Sequence, residues 1–322
     1  MHRRRFLTAG GAAALAMGGG RAVAQSFPGR PVRVVIPYTP GGGTDFTGRV
    51  VCEHMSQAAG QNFYIENKTG AAGAIGMRDV VGAAPDGYTL LVMDTALVIT
   101  PHINPKAGLT PALLTPVALL GVFPSVLVVH PSVPADTVPE LIAYARANPD
   151  RINFGSGGTG TGPHLQGELF KIKAGVEMRH VPYRGASAAM QDLVGGSIQL
   201  QFTAAPTALS FIQSGQLKLL ATTGAERLPM LAQAPTMIEA GLPDYVSAQF
   251  FGMLAPARTP PDVVGRLNAL ARSALGDPVV SKRIGEQGGL LSPGSPADFA
   301  SFIDAELKSW GDVARIAKVI VE

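Results

Sequence analysis

The sequence predicts an α/β fold in two lobes with largely parallel sheets, and three observations predict it. Short β-rich runs alternate with stretches of helical spacing along almost the whole chain, the pattern of parallel strands joined by crossover helices. Roughly 300 residues beyond the amino-terminal segment can bury a large core, and chains of that size usually divide in two. A strand, a glycine-rich loop and a helix start occur together twice, as IPYTPGGGTDFTGR at 36–49 and INFGSGGTGTGPHLQGELF at 152–170. One such unit in each lobe, facing a shared cleft, is the arrangement this echo suggests.

Residues 1–24 read as a cleaved export signal: Arg3, Arg4 and Arg5, a small-residue apolar stretch, then Ala22-Val23-Ala24 as an A-x-A cleavage site. Arg3-Arg4 followed by Phe6-Leu7 resembles a twin-arginine signal, while His2 and Thr8 depart from its usual flanks and leave general secretion open. The apolar stretch is too short and too rich in glycine for a permanent anchor.

The elements then follow in order. PVRVVIPY (31–38) is a strand, and 44–59 is a helix with Phe46, Val50 and Met55 near one face. Strands at 62–68 and 88–94 enclose a helix stopped by Pro85-Asp86-Gly87, and SVLVVHP (125–131) is another strand. A helix over 138–148 starts with Pro139 in its first turn and stops before Pro149. Strands at INFGS, MRHVPY and IQLQFTA alternate with helices over 163–173 and 186–195, strands follow at 217–223 and 249–257, and 261–319 is mostly helical.

Charge and cysteine narrow the function. Of 26 Lys and Arg, four lie in residues 1–24, which hold no acid; the remaining 22 face 23 Asp and Glu, a net of −1. Without a basic surplus, nucleic-acid binding loses its main electrostatic support. Cys52 is alone, so no internal disulfide forms, and its place in VVCEHM reads as a small buried apolar position.

The glycine-rich loops point to an anion. A helix start leaves N–H groups unpaired and carries partial positive charge, and glycine lets an anion approach closely. Gly41, Gly42 and Gly43 offer that access in the first loop, with Thr44 or Asp45 as cap. In the second, Ser156 and Thr161 add hydroxyls and Pro163 suits the first helical turn. Neither loop carries Gly-Lys-Ser/Thr, so the triphosphate loop is absent. Gly155, Gly157 and Gly160 fit G-x-G-x-x-G, but the region where a ribose-binding acid belongs holds Arg179, His180 and Arg184, which leaves an exported NADP-dependent oxidoreductase as an alternative. No GxSxG, HExxH or paired Cys/His spacing is present. His164 reads as a packing or loop-orienting residue, or else as a hydrogen-bond partner of the ligand.

The segments PYTPGGGTD, ENKTGAAGAIG, APDGYTLL, GSGGTGTGPHL, HVPYRGASAAMQDLVGGSIQLQF and FFGMLAPARTP occur in this order. Together they resemble the Bug family, the periplasmic solute-binding receptors of tripartite tricarboxylate transporters, over 27–318. The resemblance implies a two-lobe periplasmic binding protein of the type II clamshell kind, with a ligand cleft between lobes. Lobe 1 would comprise 25–125 plus 248–322, and lobe 2 would comprise 126–247. It also implies a monomer without cofactor or metal, no covalent chemistry, a small organic carboxylate as ligand and integral membrane permease subunits as partners. An orphan carboxylate sensor would use the same capture step.

Carried onto this chain, the ligand set implied by the resemblance is Tyr38, Pro40, Gly41, Gly42, Gly43, Thr44 and Asp45, acting through backbone N–H groups and ordered water. Across the cleft it is Ser156, Gly160, Thr161 and His164, with Tyr183 and Arg184 near the mouth. Arg184 is the cation that a second carboxylate would meet. Family members often carry an acid where Thr203 stands; Thr203 cannot pair with an ammonium, which argues against an amino-acid ligand. Phe250 and Phe251 stand where one aromatic is usual and would form an apolar wall or belong to the core.

Overall fold

The computed structural model describes residues 27–291 and 293–320, so the expected export signal at 1–24 lies outside the described residues. Strand β1 (Val32–Ile36) is flanked in parallel by β2 (Phe63–Asn67) and β3 (Thr89–Met93). Strand β4 (Leu114–Val129) runs antiparallel to β9 (Ala248–Pro256), which also pairs antiparallel with β3. At its other end β4 pairs antiparallel with β7 (Leu200–Ala204) and β8 (Lys218–Thr222). Strands β5 (Asn153–Ser156), β6 (Arg179–Pro182) and β7 form a parallel set.

The long strand β4 joins the two halves. Leu114 to Pro124 pair with β9, and Ser125 to Val129 pair with β7 and β8. Two register shifts, between Pro116 and Ala118 and between Leu119 and Gly121, bend it on the way, as an unpaired residue in an antiparallel ladder does. The expected strand at 125–131 is therefore only the far end of β4. Pro116, Gly121 and Pro124 break the alternation that would have marked the rest. The result is the two-lobe periplasmic-binding-protein fold. We propose lobe boundaries at 125/126 and 247/248, supported by the change of partner along β4.

Each sheet is buried on both faces, as parallel sheets usually are. Val32, Val34 and Ile36 of β1 point to one side, with Leu90 and Val92 of β3, against helices α1 (Gly43–Ala59), α8 (Pro261–Gly276) and α9 (Pro278–Gly285). Val35, Leu91 and Met93 point to the other, against α2 (Ala74–Val81), α3 (Ala96–Ile103) and α10 (Pro296–Ile316). In the second lobe Leu127 and Val129 of β4 join Phe154, Phe170, Phe202 and Tyr245, below α4 (Val138–Ala147) and α5 (Gly162–Ala174). Val126 and Val128 face α6 (Ala186–Val194) and α7 (Ala205–Gln213). This two-residue alternation is the strand period. Helices α3 and α7 were not expected. The sequence of α3 is apolar all round and contains Pro101, so it lacks an amphipathic period. Cys52 is buried in the first core and its thiol is pushed up to about 12 by that burial.

Candidate functional site

The first loop leaves β1 at Ile36 and enters α1 through Gly41, at φ +90°, and Gly42, whose extended backbone caps the helix without a side-chain bond. Neither Thr44 nor Asp45 is the cap. The first intrahelical bond runs from the Phe46 N–H to the Gly42 carbonyl (2.9 Å), so the N–H groups of Gly43, Thr44 and Asp45 precede the ladder. The Asp45 carboxylate accepts from the Gly41 N–H (3.0 Å), from Arg49 Nε and Nη2 (2.8 and 3.0 Å) and from Asn67 Nδ2 (2.8 Å). Burial alone would raise its pKa; these bonds outweigh burial and hold it below the ordinary carboxylate range. Asp45 thus clamps the loop and does not line a cavity, and neither does Pro40.

The second loop is folded on itself. Ser156 Oγ lies 2.7 Å from His180 Nε2 and accepts from the Gly158 N–H (3.2 Å), and Thr161 Oγ1 donates to the Gly158 carbonyl (2.8 Å). His164 Nδ1 accepts from the Gly160 N–H (3.1 Å), and its ring stacks on His180 with centroids 3.8 Å apart. Burial, with Lys171 adding, pulls the His164 pKa down to about 4. Burial, with His164 and Lys171, pulls His180 to about 3. Two neutral imidazoles thus brace the loop from behind. Ser156 and His164 are removed from the cleft, contrary to their reading as ligand contacts. Gly160 has a packing reason: it sits at φ +85°, and a Cβ there would fall 2.1 Å from Ile103 Cδ1 of α3, across the cleft.

Between the loops lies a small cavity of about 100 Å³ that both lobes line. From the first lobe come Tyr38, Gly42, Gly43 and Thr44, and from the second come Gly157, Thr161 and Thr203. It adjoins a second cavity of about 320 Å³, with Gly42, Gly43, Ser187, Ala204 and Thr207 shared between them. Tyr183 and Arg184 line a third cavity of about 590 Å³ beyond Tyr38 and Gly185. The Tyr183 hydroxyl is turned away, donating to Asp192 (2.7 Å), and burial with that contact pushes it up to about 12.

Two further helix starts complete the site: that of α6, a helix the sequence predicted without a place in the site, and that of α7, which it did not predict. Helix α6 begins at Gly185-Ala186-Ser187 and α7 at Ala204-Ala205-Pro206, each just after a strand of the second lobe. The starts of α1, α5, α6 and α7 therefore all meet the small cavity. Ligands of α/β sheets bind beyond the carboxyl ends of the strands, and that rule applied to each strand end would have found them. It would also have found Asp94, which follows β3. The Asp94 carboxylate accepts from the Tyr38 hydroxyl (2.6 Å) and the Ala96 N–H (2.8 Å), and burial raises its pKa. Among the described residues, no Lys, Arg or His lines the first two cavities. Phe251 lines the small cavity and stacks on Phe123 at 4.5 Å, while Phe250 is a core residue against Phe299 and Phe302.

A two-lobe α/β chain whose lobes meet over helix starts has the architecture of a periplasmic binding protein. Residues 47–319 match the tripartite tricarboxylate transporter family receptor. The chain belongs to that receptor family. Its fold is similar to the periplasmic binding protein BugD, with 30% identity and TM-score 0.86 over 92% of this chain and 100% of that one. A Rhodopseudomonas palustris protein solved with adipate is 35% identical, TM-score 0.87, over 91% of this chain and 98% of its own. MatC from Rhodopseudomonas palustris, with bound malate, is 32% identical, TM-score 0.84, over 89% and 99%.

Proposed function

We propose that this chain is a periplasmic receptor that captures a small organic carboxylate between its lobes and delivers it to the membrane permease subunits of a tripartite tricarboxylate-type transporter. The observation that carries the reading is the meeting of four helix starts in one small cavity without a cationic side chain. The exposed N–H groups and aligned peptide dipoles supply the positive potential an anion needs. Gly42, Gly43 and Thr44 offer N–H groups from the first lobe, and Gly162, Ala186 and Ser187 from the second. Thr161, Thr203 and Thr207 place polar side chains around them. The relatives with adipate and malate support an organic acid as the anion. The protein binds, and no residue of the cavity wall is paired for bond making or breaking.

The test is mass spectrometry of ligand released from freshly purified protein, followed by a thermal-shift screen of carboxylates and NADP(H). A matching carboxylate at 100 times its dissociation constant adds ~2.7 kcal/mol, a rise of roughly 4 °C in Tm for a chain of this size. A shift with NADP(H) and none with any carboxylate would overturn the receptor reading.

A further inference from the structure

The second cavity has a largely apolar wall. Phe46, Phe123, Met190 and Phe211 form its wall, and Gln191 and Gln287 are its large polar side chains. None of its lining residues is charged. Thr47, one turn beyond Gly43 on α1, also lines it; the residue is fully buried and its hydroxyl has no hydrogen-bond partner among the described residues. A buried hydroxyl left unpaired costs free energy that a ligand atom can recover.

We infer that the ligand is a monocarboxylate with an apolar body of about aromatic-ring size, its carboxylate on the helix starts of the small cavity and its body in the second. This rests on the carboxylate-receptor reading above. The two cavities share Gly42, Gly43, Ser187, Ala204 and Thr207 as lining residues, so an acid seated on the α1 start has space for its body beside the aromatic rings. Apolar surface moved there from water is stabilised in proportion to its area. A second carboxylate in the same place would be desolvated without a cationic partner, which is strongly unfavourable. Arg184, the cation expected for a second carboxylate, is exposed and lines the third cavity rather than the second.

The experiment is calorimetric titration of the full mature chain with 3-phenylpropanoate, its amide and adipate. We expect 3-phenylpropanoate to bind at least ~tenfold more tightly than adipate, the scale on which an apolar pocket discriminates, and the amide to bind more weakly than the acid. Two variants locate the ligand. Gln191→Arg, at an exposed position of the second cavity, should raise adipate affinity, and Arg184→Gln should leave both acids unchanged. Equal affinities, or a preference for adipate that Arg184→Gln removes, overturns this inference and leaves the carboxylate-receptor reading standing. Unchanged adipate binding in Gln191→Arg also counts against it, by removing the far end of the ligand from that cavity. If no carboxylate binds, the receptor reading itself falls.

Discussion

Asp45 shows how a residue beside a glycine-rich loop can fix that loop without lining the cavity next to it. Its carboxylate gathers Gly41, Arg49 and Asn67 and so fixes the turn that presents the α1 start. Asp45→Asn keeps the shape but gives up the charge-assisted bonds, and should lower the unfolding free energy by about 1.5–3 kcal/mol, read as a shifted urea midpoint. The paired imidazoles predict a pH dependence. Unfolded histidines take up protons below about pH 6.5, whereas His164 and His180 stay neutral down to about 4 and about 3. The unfolded state then binds more protons, so this contribution is complete above pH 6.5 and is lost as pH falls toward 4. Its limiting slope is about 1.4 kcal/mol per pH unit for each imidazole. In His180→Asn, urea midpoints between pH 6.5 and 4 should fall about half as steeply from this source. An unchanged slope would mean that these imidazoles are not held neutral.

At the scale of elements, the proposed binding falls to helix starts, and a backbone substitution tests them. Ala186 is the first residue of α6, and Gly185 before it has ψ 155°, a conformation that a following proline accepts. Proline is tolerated at a first helical position. Ala186→Pro should therefore fold normally, by circular dichroism, and lose one N–H from the cleft. The expected cost is about 1.5–3 kcal/mol in carboxylate affinity, roughly ten- to a hundredfold. Elements α1, β5 and α5 were legible because period and glycine punctuation agree there. Both glycine-rich loops were recognised for the same reason. The partners of Asp45 were not, because Asn67 reaches it from another strand. The bracing of Ser156 and His164 by His180 was not legible, because His180 lies on β6 and only the β5–β6 register joins the three. Helix α7 was missed because IQLQFTAAPTALS runs from strand to helix without a polar break.

In this structure the two lobes already approach each other beside the small cavity, and we propose that the ligand draws them together there. Gly160 meets Ile103, and Gly185 comes close to Thr39, where a Cβ would lie 3.5 Å from the hydroxyl. Both approaches join one lobe to the other around the small cavity. Saturating carboxylate should therefore reduce the radius of gyration in small-angle scattering, and a radius that does not change at saturation would contradict closure by the ligand.

The central claim is that the carboxylate group itself, seated on backbone N–H groups between the lobes, is what the protein recognises. Calorimetry on the wild type and on Gly42→Val tests it most directly. Gly42 lines both cavities, and a Cβ there has 4.0 Å to its nearest neighbour, the Thr39 carbonyl, so valine fits the fold while filling the ligand's space. The account predicts saturable one-to-one binding of an acid, binding at least ~tenfold weaker for its amide, and no measurable binding in Gly42→Val with the Tm preserved. Equal affinity for acid and amide, or full affinity in Gly42→Val, would contradict it.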